Sequence, residues 1–195
     1  MCLVISRILE LEQGKIEIDG IETSKVNLNT LRSKITVIPQ DPVIFDGTLK
    51  FNLDPSGTIP DKEIEAILLE AGLNDLLKRT PEKKIKKDSE LDTGDDAGNG
   101  RGIYFKLNDG GSSLSTGEKQ LICICRAVLR RNKVVVLDEA TANIDIVTEE
   151  KIQKLINNAF KDSTVFTIAH RINTIINSDK VMVLDAGNCV EYDDP

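Results

Sequence analysis

"KVVVLDEATANID", residues 133–145, is the stretch whose reading decides the fold. Val134, Val135, Val136 and Leu137 form an uninterrupted apolar run, as a strand buried on both faces of a parallel sheet requires. The run meets two carboxylates at once, Asp138 and Glu139. Ligands of open α/β sheets bind beyond the carboxyl ends of the strands, so a carboxylate pair there can divide its work. One group can hold Mg²⁺, directly or through its water shell, while the other orients an attacking water. The structural alternative is a strand-end Asp that merely caps the following turn. A nucleotide site of this kind also needs a glycine-rich phosphate loop upstream.

Around this strand the chain alternates. Helix-like "GEKQLICICRAVLRR" precedes it; helix-like "TEEKIQKLINNAF", strand-like "TVFTIA" and strand-like "KVMVLDAG" follow. Such alternation predicts a mainly parallel sheet covered by helices. Upstream, "ITVI" reads as a strand halted by Pro39, and "KIEIDG" as a short strand ending in the Asp19-Gly20 turn dipeptide. Residues 3–12, "LVISRILELE", carry a helical apolar stripe closed by Gly14. Residues 61–73 read as an amphipathic helix with Asp61 as N-cap and Gly72 near its end, and "LNDLL" extends the same helical region. From 78 to 112 the character changes: a lysine cluster gives way to an acidic, glycine-rich run, which predicts a solvated loop.

The bulk numbers exclude several classes of function. The 195 residues suit one sizeable domain, and 40% apolar with 29% charged residues is ordinary for a globular protein. A formal net charge of −7 argues against a nucleic-acid partner. No apolar run approaches the ~18–20 residues that span a bilayer, and the opening has neither a basic region nor a small-residue cleavage site. The four cysteines (Cys2, Cys123, Cys125 and Cys189) show no disulfide framework. Cys123 and Cys125 stand two apart on a helix and point in different directions, so they cannot share a metal, and all four read as small buried residues.

Three more stretches carry chemistry. In "SSLSTGEKQL" (112–121), Ser115 and Glu118 fit a capping box that opens a helix. Such a helix start presents backbone N–H groups and a positive dipole end to an anion. Gly117 in the first turn is not explained by capping, because Gly there is unfavourable by ~1 kcal/mol against Ala. Gln40 leaves a strand in "VIPQDPVIFDGT" (37–48) between Pro39 and Pro42, and the single histidine, His170, follows a strand in "TIAHR" (167–171). Each alone also has a plain reading, as a loop Gln and a structural His.

Taken together, "VIPQDP", "LSTGEKQ", "VVVLDEATANID" and "TIAHR" resemble, in order and context, the nucleotide-binding domain of ABC transporters. They match its Q-loop, signature motif, Walker B motif with D-loop, and H-loop. "VIPQDPVIFDGTLKFNLDP" and "AHRINTIINSDKVMVLDAGNCVEYDDP" look like subfamily C, the multidrug-resistance-associated exporters, and most like its second, C-terminal domain. The resemblance implies a P-loop NTPase α/β core at 1–40 and 131–195, with a helical lobe at 41–130. It implies ATP and Mg²⁺ as cofactors, a second nucleotide-binding domain packed head-to-tail, the transmembrane domains of an exporter, and a place at the cytoplasmic face of a membrane.

Residue by residue, the resemblance gives Asp138 to the Mg²⁺ site and makes Glu139 the general base. Gln40 would touch Mg²⁺ and the attacking water, and His170 the γ-phosphate. Asp145 would be the D-loop aspartate that crosses to the partner. Ser115 and Gly117 would bind the γ-phosphate of ATP held by that partner. Glu118 departs from the usual signature Gln. The larger departure is that no G-x-x-x-x-G-K-[ST] occurs in the 195 residues. In the family the helix resembling "CLVISRILELEQGKIEIDG" directly follows the Walker A motif, so the expectation is a chain that begins inside that helix. These residues alone should then neither hold ATP tightly nor turn it over, and an uncovered sheet edge should make them poorly soluble. Two other readings are a non-catalytic partner that lends its signature face to a complete domain, and a soluble ABC ATPase of DNA repair or chromosome organisation. The acidic charge and the "DPVIFDGTLKFNLDP" run speak against the last.

Overall fold

A computed structural model describes residues 2–78, 101–140, 144–169 and 171–195. In chain order the elements are α1 (Cys2–Ile5), β1 (Glu17–Ile18), β2 (Ile21–Glu22), α2 (Leu28–Lys34), β3 (Ile35–Ile38), β4 (Gly47–Thr48), α3 (Leu49–Leu53), α4 (Asp61–Glu70) and α5 (Asn74–Lys78). Then come β5 (Lys106–Leu107), α6 (Thr116–Leu129), β6 (Val134–Asp138), α7 (Ile146–Ala159), β7 (Thr164–Ile168), α8 (Ile172–Ile175), β8 (Val181–Asp185) and β9 (Asn188–Asp193).

β6 is the middle strand of a three-stranded sheet of order β3-β6-β7, and both pairings are parallel. Val135, Val136 and Leu137 are all buried, as the unbroken apolar run requires. Successive side chains of a strand point to opposite faces. Val135 and Leu137 accordingly join the large core with α3, α4, α6 and α7 residues such as Leu49, Leu68, Ile122 and Ile152. Val136 joins a smaller core on the other face, with Ile5, Leu31 and Ile35. The sheet is therefore covered on both sides, the usual condition of a parallel sheet. α6 lies across the large core with Leu121, Ile122, Ile124 and Cys125 buried. Each such aliphatic side chain contributes about 1.5–3 kcal/mol by leaving water.

The Asp19-Gly20 turn joins β1 to antiparallel β2, and both its residues have positive φ (51° and 75°), as a two-residue hairpin turn demands. α4 ends in a left-handed Gly72 with φ 74°. The N–H of Leu73 donates to Leu68 O and that of Gly72 to Leu69 O, the paired bonds of a Schellman cap.

Several expectations need correction. The stripe at 3–12 is helical only at Cys2–Ile5. Arg7 takes φ 49°, and the N–H groups of Ile8 and Arg7 close the same Schellman bonds onto Leu3 O and Val4 O. Its guanidinium donates to the carbonyls of Thr23 and Val26 and to Glu10, so tertiary partners hold a backbone state that Arg would not choose alone. Asp61 is not the N-cap of α4; Pro60 takes that place without a side-chain cap. The Asp61 carboxylate instead accepts from Lys50 Nζ (2.6 Å) and the Tyr104 hydroxyl (2.6 Å). Residues 74–78 form a separate short helix rather than extending α4. The apolar run 181–184 does not join the parallel sheet; β8 pairs antiparallel with β9 in a separate hairpin, with Met182, Leu184, Val190 and Tyr192 exposed. All four thiols are free, but only Cys123 and Cys125 are buried, while Cys2 is half-buried and Cys189 exposed.

Candidate functional site

The parallel register builds the first half of the site. Ile38 of β3 stands opposite Leu137, and Asp138 opposite Ile168 of β7, so the three strands end along one edge. Gln40, two residues beyond β3, is exposed there, and Asp138 and Glu139 are half-buried at the end of β6. Glu139 has φ 45°, uncommon for a residue with a side chain, and its N–H donates to Ile168 O at 3.0 Å. That bond turns the chain at the strand end and fixes where the second carboxylate leaves the sheet. Burial first, and the Asp138 carboxylate second, push the Cys2 thiol of α1 above its usual range. His170 lies outside the described residues. Its neighbour Arg171 pairs with Glu149 of α7 at 2.7 Å.

The second half lies at two helix starts. Ser115 caps α6, and the capping box is complete: the Glu118 N–H donates to Ser115 Oγ (3.2 Å) and the Ser115 N–H to Glu118 Oε2 (2.8 Å). Glu118 in place of Gln thus performs the same backbone task. Asp145 caps α7 by accepting from the Thr148 N–H at 3.0 Å. The two starts touch through Gly117, where an added Cβ would lie 3.1 Å from Thr148 Cγ2. This contact accounts for a glycine that capping alone leaves unexplained. Between the two starts is a cleft of about 370 Å³, lined by Ser115, Gly117, Glu118, Asp145, Thr148 and Lys151 among others. Ser115, Gly117 and Asp145 thus form one group, and Gln40, Asp138 and Glu139 another that does not line this cleft.

The oxygen donors of Asp138 and Gln40 suit a hard cation such as Mg²⁺. The α6 start, with Gly117 bare of side chain, suits a phosphate. Among the described residues no group of three or more His, Cys, Asp or Glu is close enough to hold a metal by itself. Sequence reasoning missed Thr148, Gln120, Arg126 and Asn52. Gln120 and Asn52 are buried and Arg126 half-buried, which only the packing reveals, although a Gln and an Arg within the apolar run "QLICICRAVL" are a visible hint.

This arrangement is the ATP-binding domain of an ABC transporter. The ABC transporter family profile matches residues 1–142, and the chain belongs to that family. It is 44% identical over 196 residues to Bile pigment transporter 1 of Saccharomyces cerevisiae, an alignment covering 100% of this chain and 12% of the relative. It is also 44% identical over 194 residues to human ATP-binding cassette sub-family C member 4, covering 98% of this chain and 13% of that protein. Among solved structures, a bacterial Atm1-family ABC exporter with ATP bound superimposes with a TM-score of 0.81 at 28% identity, over 99% of this chain and 31% of that one. The resemblance to subfamily C exporters is thus borne out, as is the α/β ABC ATPase fold. The chain spans only about one eighth of the length of these curated relatives. No helix among the described residues is long and apolar enough to cross a membrane.

Proposed function

We propose that this domain is the motor of an exporter, working at the cytoplasmic face of a membrane and coupling ATP hydrolysis to transport through transmembrane domains. Residues 1–40 and 131–195 form its α/β core and 41–130 its helical lobe. The observation that carries this reading is the parallel register that ends β3, β6 and β7 at one edge, where Gln40, Asp138 and Glu139 emerge together. Mg²⁺, when bound with ATP, supplies charge neutralisation at the β- and γ-phosphates. Asp138 and Gln40 hold that cation's shell, and Glu139 takes the proton of the attacking water. His170 orients the γ-phosphate. Ser115 and Gly117 face the ATP of a second nucleotide-binding domain packed head-to-tail, and Asp145 reaches across the same interface.

The 195 residues contain no phosphate loop, so by themselves they hold ATP weakly and do not hydrolyse it. The test is a fusion: the phosphate-loop segment of a 44% identical relative is placed ahead of residue 1 and ATP turnover is measured. Expected is an ATPase abolished by Glu139→Gln, with the unfused chain at background. A folded fusion that binds ATP and hydrolyses it equally well with Gln at 139 refutes the assignment. A second reading is favoured by the completed cap at Ser115 and the cleft beside it, which need no phosphate loop of their own. In it the chain lends this face to a complete domain without catalysing anything itself. Mixing the chain with such a domain then raises turnover, and Ser115→Arg removes the rise.

A further inference from the structure

One face of α6 carries Gln120, Cys123 and Arg126, at the spacing that aligns side chains along a helix. All three reach carbonyls of the loop that contains Gln40. Gln120 is 1% exposed, and its Nε2 donates to Pro39 O at 3.4 Å, the residue directly before Gln40. Cys123 Sγ lies 3.7 Å from Val43 O. Arg126 donates from Nη2 to Val43 O (3.2 Å) and from Nε to Asn52 O (2.6 Å), with its guanidinium over the Phe45 ring at 5.4 Å. Asn52, wholly buried, completes the clasp: it accepts from the Phe45 N–H (2.8 Å) and donates to the carbonyls of Phe45 (2.8 Å) and Thr48 (3.1 Å).

Loops are normally the mobile parts of a domain, and their buried polar groups must find partners. This loop has its partners on the helix that Ser115 caps. We propose that Gln120 and Arg126 are positioning residues that fasten the Gln40 loop to α6, so that Gln40 and the helix start at Ser115 shift as one body. The inference rests on the motor reading for its purpose, since it joins the group that handles one nucleotide to the group that faces another. Arg is suited to the task because its planar fork serves two acceptors at once, which a Lys ammonium on a flexible stem does poorly.

The test uses the whole 195-residue chain without nucleotide, so its outcome is independent of whether ATP is bound or hydrolysed. Spin labels are placed at Gln40→Cys and Ser115→Cys, with Cys2→Ser and Cys189→Ser removing the two accessible thiols, and the distance distribution is measured. The parent gives one narrow distribution. Gln120→Met, similar in shape but without the donor, and Arg126→Lys, which keeps the charge but not the fork, broaden it at least twofold. Amide exchange in 41–47 then rises at least tenfold, and by a larger factor than in β6, whose amides follow only the fall in overall stability. Lys119→Met, beside the contact row, leaves all of this unchanged. An equally narrow distribution in both variants overturns the proposal. So does broadening in which the amides of 41–47 and of β6 exchange faster by the same factor, because that marks general loss of the fold.

Discussion

The contact between Gly117 and Thr148 can be weighed in free energy. Replacing Gly117 by Ala removes the conformational freedom of glycine within α6, which favours the folded state by about 0.8–1 kcal/mol. Against this, the new Cβ meets Thr148 Cγ2 at 3.1 Å, well inside the about 3.5–4.0 Å at which carbon atoms attract. The remaining Thr148 atoms, Cβ and Oγ1, stand at 3.8 Å and do not object. The whole penalty therefore sits on one methyl group. Gly117→Ala alone is expected to change stability by less than ~0.5 kcal/mol, because the two effects nearly cancel. Thr148→Ser removes that methyl and by itself costs about 0.5–1 kcal/mol of burial. In the Thr148→Ser background, Gly117→Ala should recover its full helix gain of about 0.8–1 kcal/mol. The coupling in the double-mutant cycle is then about 0.5–1 kcal/mol, and for a chain of this size each kcal/mol moves the melting midpoint by about 2–4 °C. Urea unfolding of the four proteins, monitored by circular dichroism, measures it. A Gly117→Ala gain of ~1 kcal/mol that is indifferent to residue 148 would falsify the packing account and leave the glycine without a structural reason.

The other expectations are simpler. Ser115→Ala should lower stability by about 0.5–2 kcal/mol, since it removes the acceptor of the Glu118 N–H, whereas Glu118→Gln retains the capping box and stays within ~0.5 kcal/mol; urea midpoints decide both. Asp54 lies in a buried turn where burial would raise its carboxyl, but bonds from Ser56 and the backbone N–H groups of Ile59, Ser56 and Gly57 outweigh this and hold it below its ordinary 3.8. A carboxyl depressed in the folded state stabilises fully above its unfolded value and loses that contribution as pH falls through the folded one. Unfolding midpoints should therefore drop as pH falls below about 4, and Asp54→Asn should flatten that part of the curve while lowering the plateau at about pH 7. In thiol labelling, Cys189 should react at once, while Cys123 and Cys125 react only through unfolding; burial pushes the Cys125 thiol up to about 12. Prompt modification of Cys125 in native buffer contradicts the packing of α6.

Where the sequence was legible, local chemistry and tertiary packing asked for the same thing. "ITVI" and "VVVLD" are β-branched, apolar and bounded by Pro39 and the carboxylates, and they became β3 and the buried β6. Ser115 and Glu118 spell their own hydrogen bonds, so the start of α6 could be read to the residue. The failures came where a distant partner won. The stripe at 3–12 has good helical spacing, yet the carbonyls of Thr23 and Val26 draw Arg7 out of it. Asp61 has the chemistry of a cap, yet Lys50 and Tyr104 take its carboxylate. Run 181–184 is as apolar as a central strand, and its composition does not tell a sheet strand from one arm of a hairpin. In the site, Gln40 and Asp145 were found through whole-motif resemblance, although Asp145 also caps α7 through the Thr148 N–H. The tie from Gln120 and Arg126 to their loop needed three dimensions, because its two ends lie far apart in sequence.

β3 and β6 pair side by side, but Ile35 must wait for Val134 to be made. At about 5–20 residues per second, the roughly one hundred residues between them take a ribosome about 5–20 s. During that interval β3 lacks β6, its partner among the described residues, and the smaller core lacks its Val136. β7 comes only some thirty residues after β6, so the last two strands can close within a few seconds of each other. Synthesis thus leaves the four residues of β3 waiting for β6, and factors that bind nascent chains have their longest opportunity there.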